Sequence, residues 1–178
     1  MYFNSPGGYA YDGFQISNRI QQLREEGRVG RIEAHAEGLV GSAATLPFLA
    51  GDVRSMRNGS RFMVHEPWAG VQGNPSALRA AAAKLDQTKE EMLDLYEARS
   101  HMSREDITTA VEAETYYTPK EAMEAGFATE VVPVMAIAAC MSESLLSRFE
   151  HFPTDVLVED PGKRRADLEA RIIPVSEW

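Results

Sequence analysis

The chain has 178 residues, which is long enough for one domain with its own hydrophobic core. It is 44% hydrophobic and 25% charged, as is typical of a soluble globular protein. Its formal net charge of -9 argues against a general nucleic-acid-binding role, because such a surface would not neutralise phosphates.

The single cysteine, Cys140, indicates where the protein works. A lone cysteine forms no intrachain disulfide, which favours a reducing compartment. The sequence has no apolar run long enough to span a bilayer, and its first residues lack the basic and apolar regions of a signal peptide. We therefore expect a cytoplasmic protein without a membrane partner.

The first half of the chain alternates predicted helices and strands. Residues 12–26 have apolar side chains at helical spacing, and residues 31–37 alternate apolar and polar side chains as a strand does. Residues 38–41 break this alternation. Residues 42–50 then predict a short apolar helix, and residues 61–64 predict a second strand.

A long helix is predicted from Asn74 to about His101, because Asn74 can cap it and proline follows at its first turn. Leu78, Leu85 and Met92 recur every seven residues. This narrow apolar stripe on a charged helix predicts packing against a partner helix.

Capping signals mark two further helices. Ser103 precedes a short one, and Thr118 with Glu121 forms a capping-box pattern for another over 118–125. Residues 135–149 predict a helix, and residues 155–178 predict an irregular tail. Strands alternating with helices predict an α/β layer fold.

Four short segments contain the residue types needed to open an amide bond by nucleophilic attack. They could supply a backbone oxyanion site, a serine in a small-residue turn, a histidine at a strand end and a carboxylate. In chain order they are Asn4-Ser5-Pro6-Gly7-Gly8, Gly38-Leu39-Val40-Gly41-Ser42-Ala43-Ala44, Arg61-Phe62-Met63-Val64-His65-Glu66-Pro67 and Glu114-Thr115-Tyr116-Tyr117-Thr118-Pro119-Lys120-Glu121-Ala122.

Each candidate also has a plain structural interpretation. Ser42 could be only a helix cap, but a glycine-rich turn from strand to helix exposes a hydroxyl and sets the amide of Ala43 beside it. His65 could be only a strand-end residue, yet catalytic residues are often placed at such edges. Glu114, in an acidic stretch, could be only a solvated carboxylate.

The ordered set resembles the ClpP family of self-compartmentalising serine peptidases, from about Phe3 to Val132. The Asn-Ser-Pro-Gly-Gly element is intact, the Gly-x-small-small-Ser motif ends at Ser42, and the strand motif Met-aliphatic-His-x-Pro contains His65. This resemblance implies a ClpP/crotonase-like α/β fold, built as a spiral of β-β-α units with a protruding handle helix. It also implies a peptidase domain over 1–132 and a C-terminal extension over 133–178.

The resemblance implies a role for each matching residue. Ser42 would be the nucleophile, His65 the base and Glu114 the third residue, with the amides of Gly8 and Ala43 as oxyanion donors. The long helix would be the handle that interlocks opposing rings. Substrate polypeptide would add as a strand beside Gly70, Val71, Gln72 and Gly73. No metal or organic cofactor is implied, and ATP would be used only by a separate AAA+ unfoldase partner.

The chain departs from the family pattern in three ways. Glu114 stands where aspartate is usual, and glutamate can still accept a bond from an imidazole. The axial loop, first helix and opening strands have no counterpart before Asn4, so we expect a truncated chain or a sheet completed by another subunit, and docking to an unfoldase is in doubt. Residues 145–149 and Glu114 resemble phage and prophage head-maturation proteases.

Two other functions remain open from the sequence. A ClpP-like shell or assembly subunit without activity is the second hypothesis, motivated by the missing opening segment. An acyl-CoA hydratase-like enzyme, which shares the spiral core, ranks last because CoA chemistry has no need for serine, histidine and glutamate in this order.

Overall fold

A six-stranded mixed sheet organises the protein in a computed structural model that describes residues 1–133. The C-terminal helix and tail predicted beyond Pro133, together with Cys140, lie outside the described residues. The strands are β1 (Tyr2–Ser5), β2 (Glu33–Gly41), β3 (Val53–Arg57), β4 (Arg61–Val64), β5 (Thr115–Tyr117) and β6 (Glu130–Val132). The predicted α/β class is confirmed.

Strand β2 lies at the centre of the sheet, in the order β5-β4-β2-β3-β6, and β1 pairs with β2 as well. The pairs of β2 with β1, β3 and β4 are parallel, as is that of β3 with β6, and β5 runs antiparallel to β4. The residues that follow β2 and β4 therefore meet at one edge of the sheet.

The helices follow the capping signals closely. Residues 42–44 form a 3-10 turn, and the helices are α1 (Ala10–Glu25), α2 (Thr45–Leu49), α3 (Pro75–Arg99), α4 (Arg104–Glu112) and α5 (Pro119–Glu124). The side chain of Asn74 accepts a hydrogen bond from the amide of Ala77 at 2.9 Å. Thr118 and Glu121 make both reciprocal bonds of a capping box. These local predictions are confirmed.

An aromatic cluster fills the core between the sheet and the helices. The rings of Phe62 and Phe127 stack with centroids 4.7 Å apart, and Tyr96, Tyr117 and Phe48 pack at their edges. Tyr96, Phe48 and Phe62 are fully buried. The cluster joins β4, α2 and α3, so it holds the ends of the central strands against the long helix.

The structure corrects two strand assignments. Residues 38–41 were predicted to break the strand, but they continue β2, because Leu39 and Gly41 pair with Arg61 and Met63 of β4. Strand β3 was not predicted, because its sequence is polar and an arginine is usually exposed. Arg54 is only 8% exposed, and its guanidinium donates to the carbonyl oxygens of Gly51, Phe127 and Gly126.

The N-terminal segment is held within the chain itself. Tyr2 and Phe3 pair with His35 and Ala36 of β2, and this pairing anchors the loop that leads to Gly8.

The apolar stripe of α3 is not one continuous seam for a partner helix. Met92 is 2% exposed and belongs to the core of this chain, whereas Leu78 is 45% exposed. The first half of α3 is largely exposed and its second half is packed on the sheet domain. Only the exposed half remains available to a partner.

The residues expected to pair with a substrate strand are not themselves in a strand of the described structure. Gly70, Val71, Gln72 and Gly73 form an exposed loop between β4 and α3 and pair with no strand of residues 1–133. A strand needs a neighbour for its backbone groups, and this loop has none in that part of the chain.

Candidate active site

Ser42 stands at a sharp turn where β2 ends and the 3-10 turn begins. Its φ is +52°, a left-handed conformation that is uncommon for a residue with a side chain. Such a strand-to-helix turn projects the hydroxyl beyond the sheet edge. Backbone strain of this kind persists only where the surroundings hold it in place.

Buried hydrogen bonds hold that turn. The hydroxyl of Thr45 donates to the carbonyl oxygen of Ser42 at 2.6 Å, and it lies 2.8 Å from the hydroxyl of Tyr96. Both Thr45 and Tyr96 are completely buried, and this burial raises the pKa of Tyr96. The neutral hydroxyl therefore stays in place as a structural support at any physiological pH.

Two glycines allow the neighbouring backbone to approach the turn. A Cβ atom at Gly7 would lie 2.7 Å from the carbonyl oxygen of Gly41 and 2.7 Å from the Cβ atom of Ser42. A Cβ atom at Gly13 of α1 would lie 2.5 Å from the carbonyl oxygen of Ala43. The serine turn is thus enclosed by the Pro6-Gly7-Gly8 loop on one side and by α1 on another.

His65 immediately follows β4, and its Nε2 atom lies 2.8 Å from Oγ of Ser42. Parallel pairing of Gly41 with Met63 brings the two residues to the same edge of the sheet. When the ring proton is on Nδ1, the serine hydroxyl donates to Nε2. This is the contact that lets a histidine accept a proton from a nucleophilic serine.

Glu114 and His65 adjoin the same pair of residues, but the side chain of Glu114 is engaged elsewhere. The antiparallel β4–β5 ladder ends at the pair Val64–Thr115, which His65 follows and Glu114 precedes. Glu114 is exposed, and its carboxylate accepts a hydrogen bond from the hydroxyl of Tyr116 at 3.3 Å. Within residues 1–133, Nδ1 of His65 has no hydrogen-bond partner.

Ser42 and Glu114 share one further property. They are the two non-glycine residues of the described chain with positive φ, at +52° and +50°. Strained backbone of this type clusters at functional sites, although it does not by itself assign a role. The structure brings Ser42 and His65 into contact and leaves the Glu114 side chain bonded to Tyr116.

The two backbone groups expected to bind an oxyanion lie next to the serine. The N–H group of Gly8 has no acceptor among the described residues, and Gly8 is exposed. Ala43 is in the first turn after β2, where N–H groups lack an intrahelical acceptor. Both residues line the same cleft as Ser42.

This cleft has a volume of about 230 Å³ and mostly apolar walls. No Asp, Glu, Lys or Arg is among its described lining residues, which are Gly8, Tyr9, Ala10, Tyr11, Ser42, Ala43, His65, Pro67, Trp68, Ala69, Leu85, Thr88 and Met92. A larger cavity of about 740 Å³ runs along α1, but none of the candidate catalytic residues lines it. The smaller cleft is therefore the one that chemistry at Ser42 would use.

A second serine–histidine contact shows why exposure matters. Nδ1 of His35 lies 2.6 Å from Oγ of Ser55, about as close as the pair in the cleft. Ser55, however, is 2% exposed and sits inside β3, where no substrate can reach it. Of the two pairs, only Ser42 and His65 open into a cleft.

The sequence did not predict a pair of salt bridges beside the site. The ammonium group of Lys89 lies 2.6 Å from a carboxylate oxygen of Glu66 and 2.8 Å from one of Glu112. These carboxylates, Glu112 first, raise the pKa of Lys89. Each carboxylate lies 23 residues from Lys89 in the sequence, so no local pattern predicts these contacts.

The aromatic walls of the cleft were missed as well. Tyr9, Tyr11 and Trp68 are 83%, 63% and 76% exposed, which is unusual for large apolar side chains. Each of them lies within three residues of Gly8 or His65 in the sequence, and this proximity could have predicted them.

Within residues 1–133, the structure has no cluster of three histidine, cysteine, aspartate or glutamate side chains arranged to hold a metal ion. In the same part of the chain, none of the helices combines the length and apolar character needed to cross a membrane.

Comparison with known proteins finds relatives that are proteolytic subunits of Clp proteases. The chain is 30% identical over 143 residues to ATP-dependent Clp protease proteolytic subunit 2 of Synechococcus sp., covering 78% of this chain and 70% of the relative. It is 32% identical over 128 residues to ATP-dependent Clp protease proteolytic subunit 1 of Prochlorococcus marinus, covering 71% and 63%. The protein of the same name, without a subunit number, from Bacteroides thetaiotaomicron is 28% identical over 134 residues, covering 74% and 59%.

The chain thus spans about three fifths to 70% of the length of these relatives. The sequence model of the Clp protease family matches residues 1–135, which include every candidate site residue. With this match and the α/β sheet described above, the chain belongs to the Clp protease family.

Proposed function

We propose that this chain is a serine endopeptidase that cleaves peptide bonds at Ser42. The observation that carries the proposal is the 2.8 Å contact between Nε2 of His65 and Oγ of Ser42 at the wall of an open apolar cleft. A hydroxyl is a weak nucleophile at neutral pH, and an adjacent imidazole is what activates it.

The proposed reaction has two halves. Oγ of Ser42 attacks the peptide carbonyl carbon while its proton passes to Nε2 of His65. The C–N bond then breaks, and the imidazolium returns the proton to the departing amine. A water molecule, deprotonated by His65, attacks the acyl-serine ester and restores the hydroxyl as the acid product leaves.

Negative charge on the carbonyl oxygen would be held by the N–H groups of Gly8 and Ala43. Each such donor contributes about 2.7–4 kcal/mol to lowering the barrier. The proposal is supported by the free N–H of Gly8 within the described residues and by the position of both residues in the wall of the cleft.

Glu114 would orient His65 and stabilise its charged form. The proposal is supported by the end of the β4–β5 ladder, where His65 follows Val64 and Glu114 precedes its partner Thr115. It requires that the Glu114 carboxylate leave Tyr116 and turn toward Nδ1 of His65. No metal or organic cofactor takes part in the proposed mechanism.

The wider arrangement is proposed from the family. We propose homo-oligomeric rings in which the exposed half of α3 acts as the handle, and polypeptide substrates that pair with the loop of Gly70, Val71, Gln72 and Gly73. An unfoldase partner and a cytoplasmic location belong to the same proposal. Glu114 before the tyrosine pair favours the head-maturation branch.

One observation favours a second candidate, a shell or assembly subunit without activity. The carboxylate of Glu114 is bonded to Tyr116 and not to His65. If that arrangement persists in the assembled protein, the histidine lacks its orienting group.

The deciding experiment is labelling of the purified protein with a fluorophosphonate, read by intact mass. We expect one label per chain, none in Ser42→Ala, and labelling at least about 100-fold slower in His65→Ala. Ser55→Ala is the matched control, since it removes the serine of the buried pair, and it should label as the wild type does.

Two results would contradict the proposal. Labelling that persists in Ser42→Ala would place the reactive group elsewhere. A folded wild type that takes no label would favour the inactive subunit.

A further inference from the structure

Lys89 connects two segments of the chain, and each segment leads to a candidate site residue. Its ammonium group contacts Glu66 at 2.6 Å and Glu112 at 2.8 Å. Glu66 directly follows His65, and Glu112 is two residues before Glu114. The bridge therefore spans from the loop after β4 to the last residue of α4, which precedes the turn to β5.

The bridge is anchored on a rigid element. Lys89 belongs to α3, next to the buried Thr88, and Leu85, Thr88 and Met92 of the same helix line the cleft. The Lys89 side chain is only 17% exposed, whereas those of Glu66 and Glu112 are 52% and 55% exposed. The fixed partner is thus the lysine, which holds the loop after β4 and the C-terminal end of α4.

Removing the ammonium group would leave two carboxylates facing each other. Two carboxylates that had shared one cation repel each other once it is gone, so the loop after β4 and the end of α4 would move apart. The distance between His65 and Glu114 would then change. Catalysis is sensitive to such shifts, since a displacement of about 1 Å can cost about 100-fold in rate.

We infer that Lys89 is a positioning residue, whose contacts with Glu66 and Glu112 set the approach of the Glu114 carboxylate to His65. The inference rests on the proposed peptidase function. Lys89 is not one of the residues proposed as nucleophile, base, orienting carboxylate or oxyanion donor. Its effect on the reaction passes entirely through Glu114.

The test is a double-mutant cycle on the rate of fluorophosphonate labelling. Four proteins are compared: the wild type, Lys89→Met, Glu114→Ala and the double variant. Lys84→Met is the matched control, because Lys84 is an exposed lysine on the same helix. Maximal rate and half-saturating reagent concentration are measured separately, together with the melting temperature.

We expect Lys89→Met to lower the maximal labelling rate about tenfold without changing the half-saturating concentration. In the Glu114→Ala background the same substitution should have no further effect, because residues that act through one another are not additive. Lys84→Met should match the wild type. A role in stability alone would slow labelling equally in both backgrounds.

The inference is overturned if Lys89→Met slows labelling equally in both backgrounds, or if Lys89→Met labels as fast as Lys84→Met. It is also overturned if Glu114→Ala labels at the wild-type rate. Should Lys89→Met not fold, Glu112→Gln, which removes one ion pair and keeps the side-chain shape, replaces it in the same cycle. Absence of label in the folded wild type would instead refute the peptidase proposal, so the two failures are distinct.

Discussion

The backbone of Gly7 is packed directly against Ser42, at a distance that leaves no room for a side chain. A Cβ atom at position 7 would lie 2.7 Å from the Cβ atom of Ser42 and 3.0 Å from the amide nitrogen of Ala43. The loop that carries Gly8 and the turn that carries the nucleophile candidate thus form one unit.

This relationship predicts that Gly7→Ala damages the site. The change adds a clash with backbone atoms to the cost of a positive φ, +104° at this position, and overpacking of this kind costs about 1–3 kcal/mol. We expect labelling at Ser42 to slow by at least about tenfold and the melting temperature to fall.

Gly59→Ala separates the two causes. Its φ is +89°, but no heavy atom lies within 4 Å of an added Cβ. It should lose stability from strain alone and keep the labelling rate. Equal labelling rates in the two alanine variants would show that the packing of Gly7 on Ser42 does not matter.

The buried hydroxyl pair behind the serine turn leads to a second prediction. Thr45→Val removes the donor to the carbonyl oxygen of Ser42 and leaves the Tyr96 hydroxyl buried without its partner, which costs about 1–3 kcal/mol. Tyr96→Phe leaves the Thr45 bond to Ser42 in place, so it should cost only about 1 kcal/mol.

Urea unfolding measures both free energies, and fluorophosphonate labelling reports on the turn. We expect slower labelling in Thr45→Val and a nearly unchanged rate in Tyr96→Phe. A larger loss of unfolding free energy in Tyr96→Phe than in Thr45→Val would contradict this account of the turn.

A third prediction concerns Arg54, whose guanidinium donates to three carbonyl oxygens at 2.8, 3.1 and 3.0 Å. Lysine keeps the charge but cannot reproduce this fork of donors. Arg54→Lys should therefore lower the free energy of unfolding by about 3 kcal/mol.

Arg57→Lys is the control, on the same strand. The Arg57 side chain is 57% exposed and its nearest carboxylate oxygen is 3.9 Å away, on Glu37. Its substitution should change the unfolding free energy by less than about 0.5 kcal/mol. Similar losses for both variants in urea unfolding would show that the buried hydrogen bonds of Arg54 contribute little.

Sequence reasoning failed where a segment depends on distant partners. Strand β3 was missed because Arg54 reads as a surface residue, and only carbonyl oxygens of residues 51, 126 and 127 make its burial possible. Residues 38–41 were read as a break because glycine weakens a strand, yet pairing with β4 stabilises them. The stripe on α3 was read as one surface, although the sheet domain buries its C-terminal end.

The sequence by itself determined the helix starts at Asn74 and Thr118, the α/β class and the family. The helix starts depend on side-chain to backbone bonds within three residues, and the class and the family depend on the order of motifs along the chain. Only the tertiary structure decided that His65 reaches Ser42, that the Glu114 carboxylate bonds Tyr116, and that Lys89 joins Glu66 to Glu112. These contacts depend on strand register and on side-chain rotation, which a one-dimensional pattern does not encode.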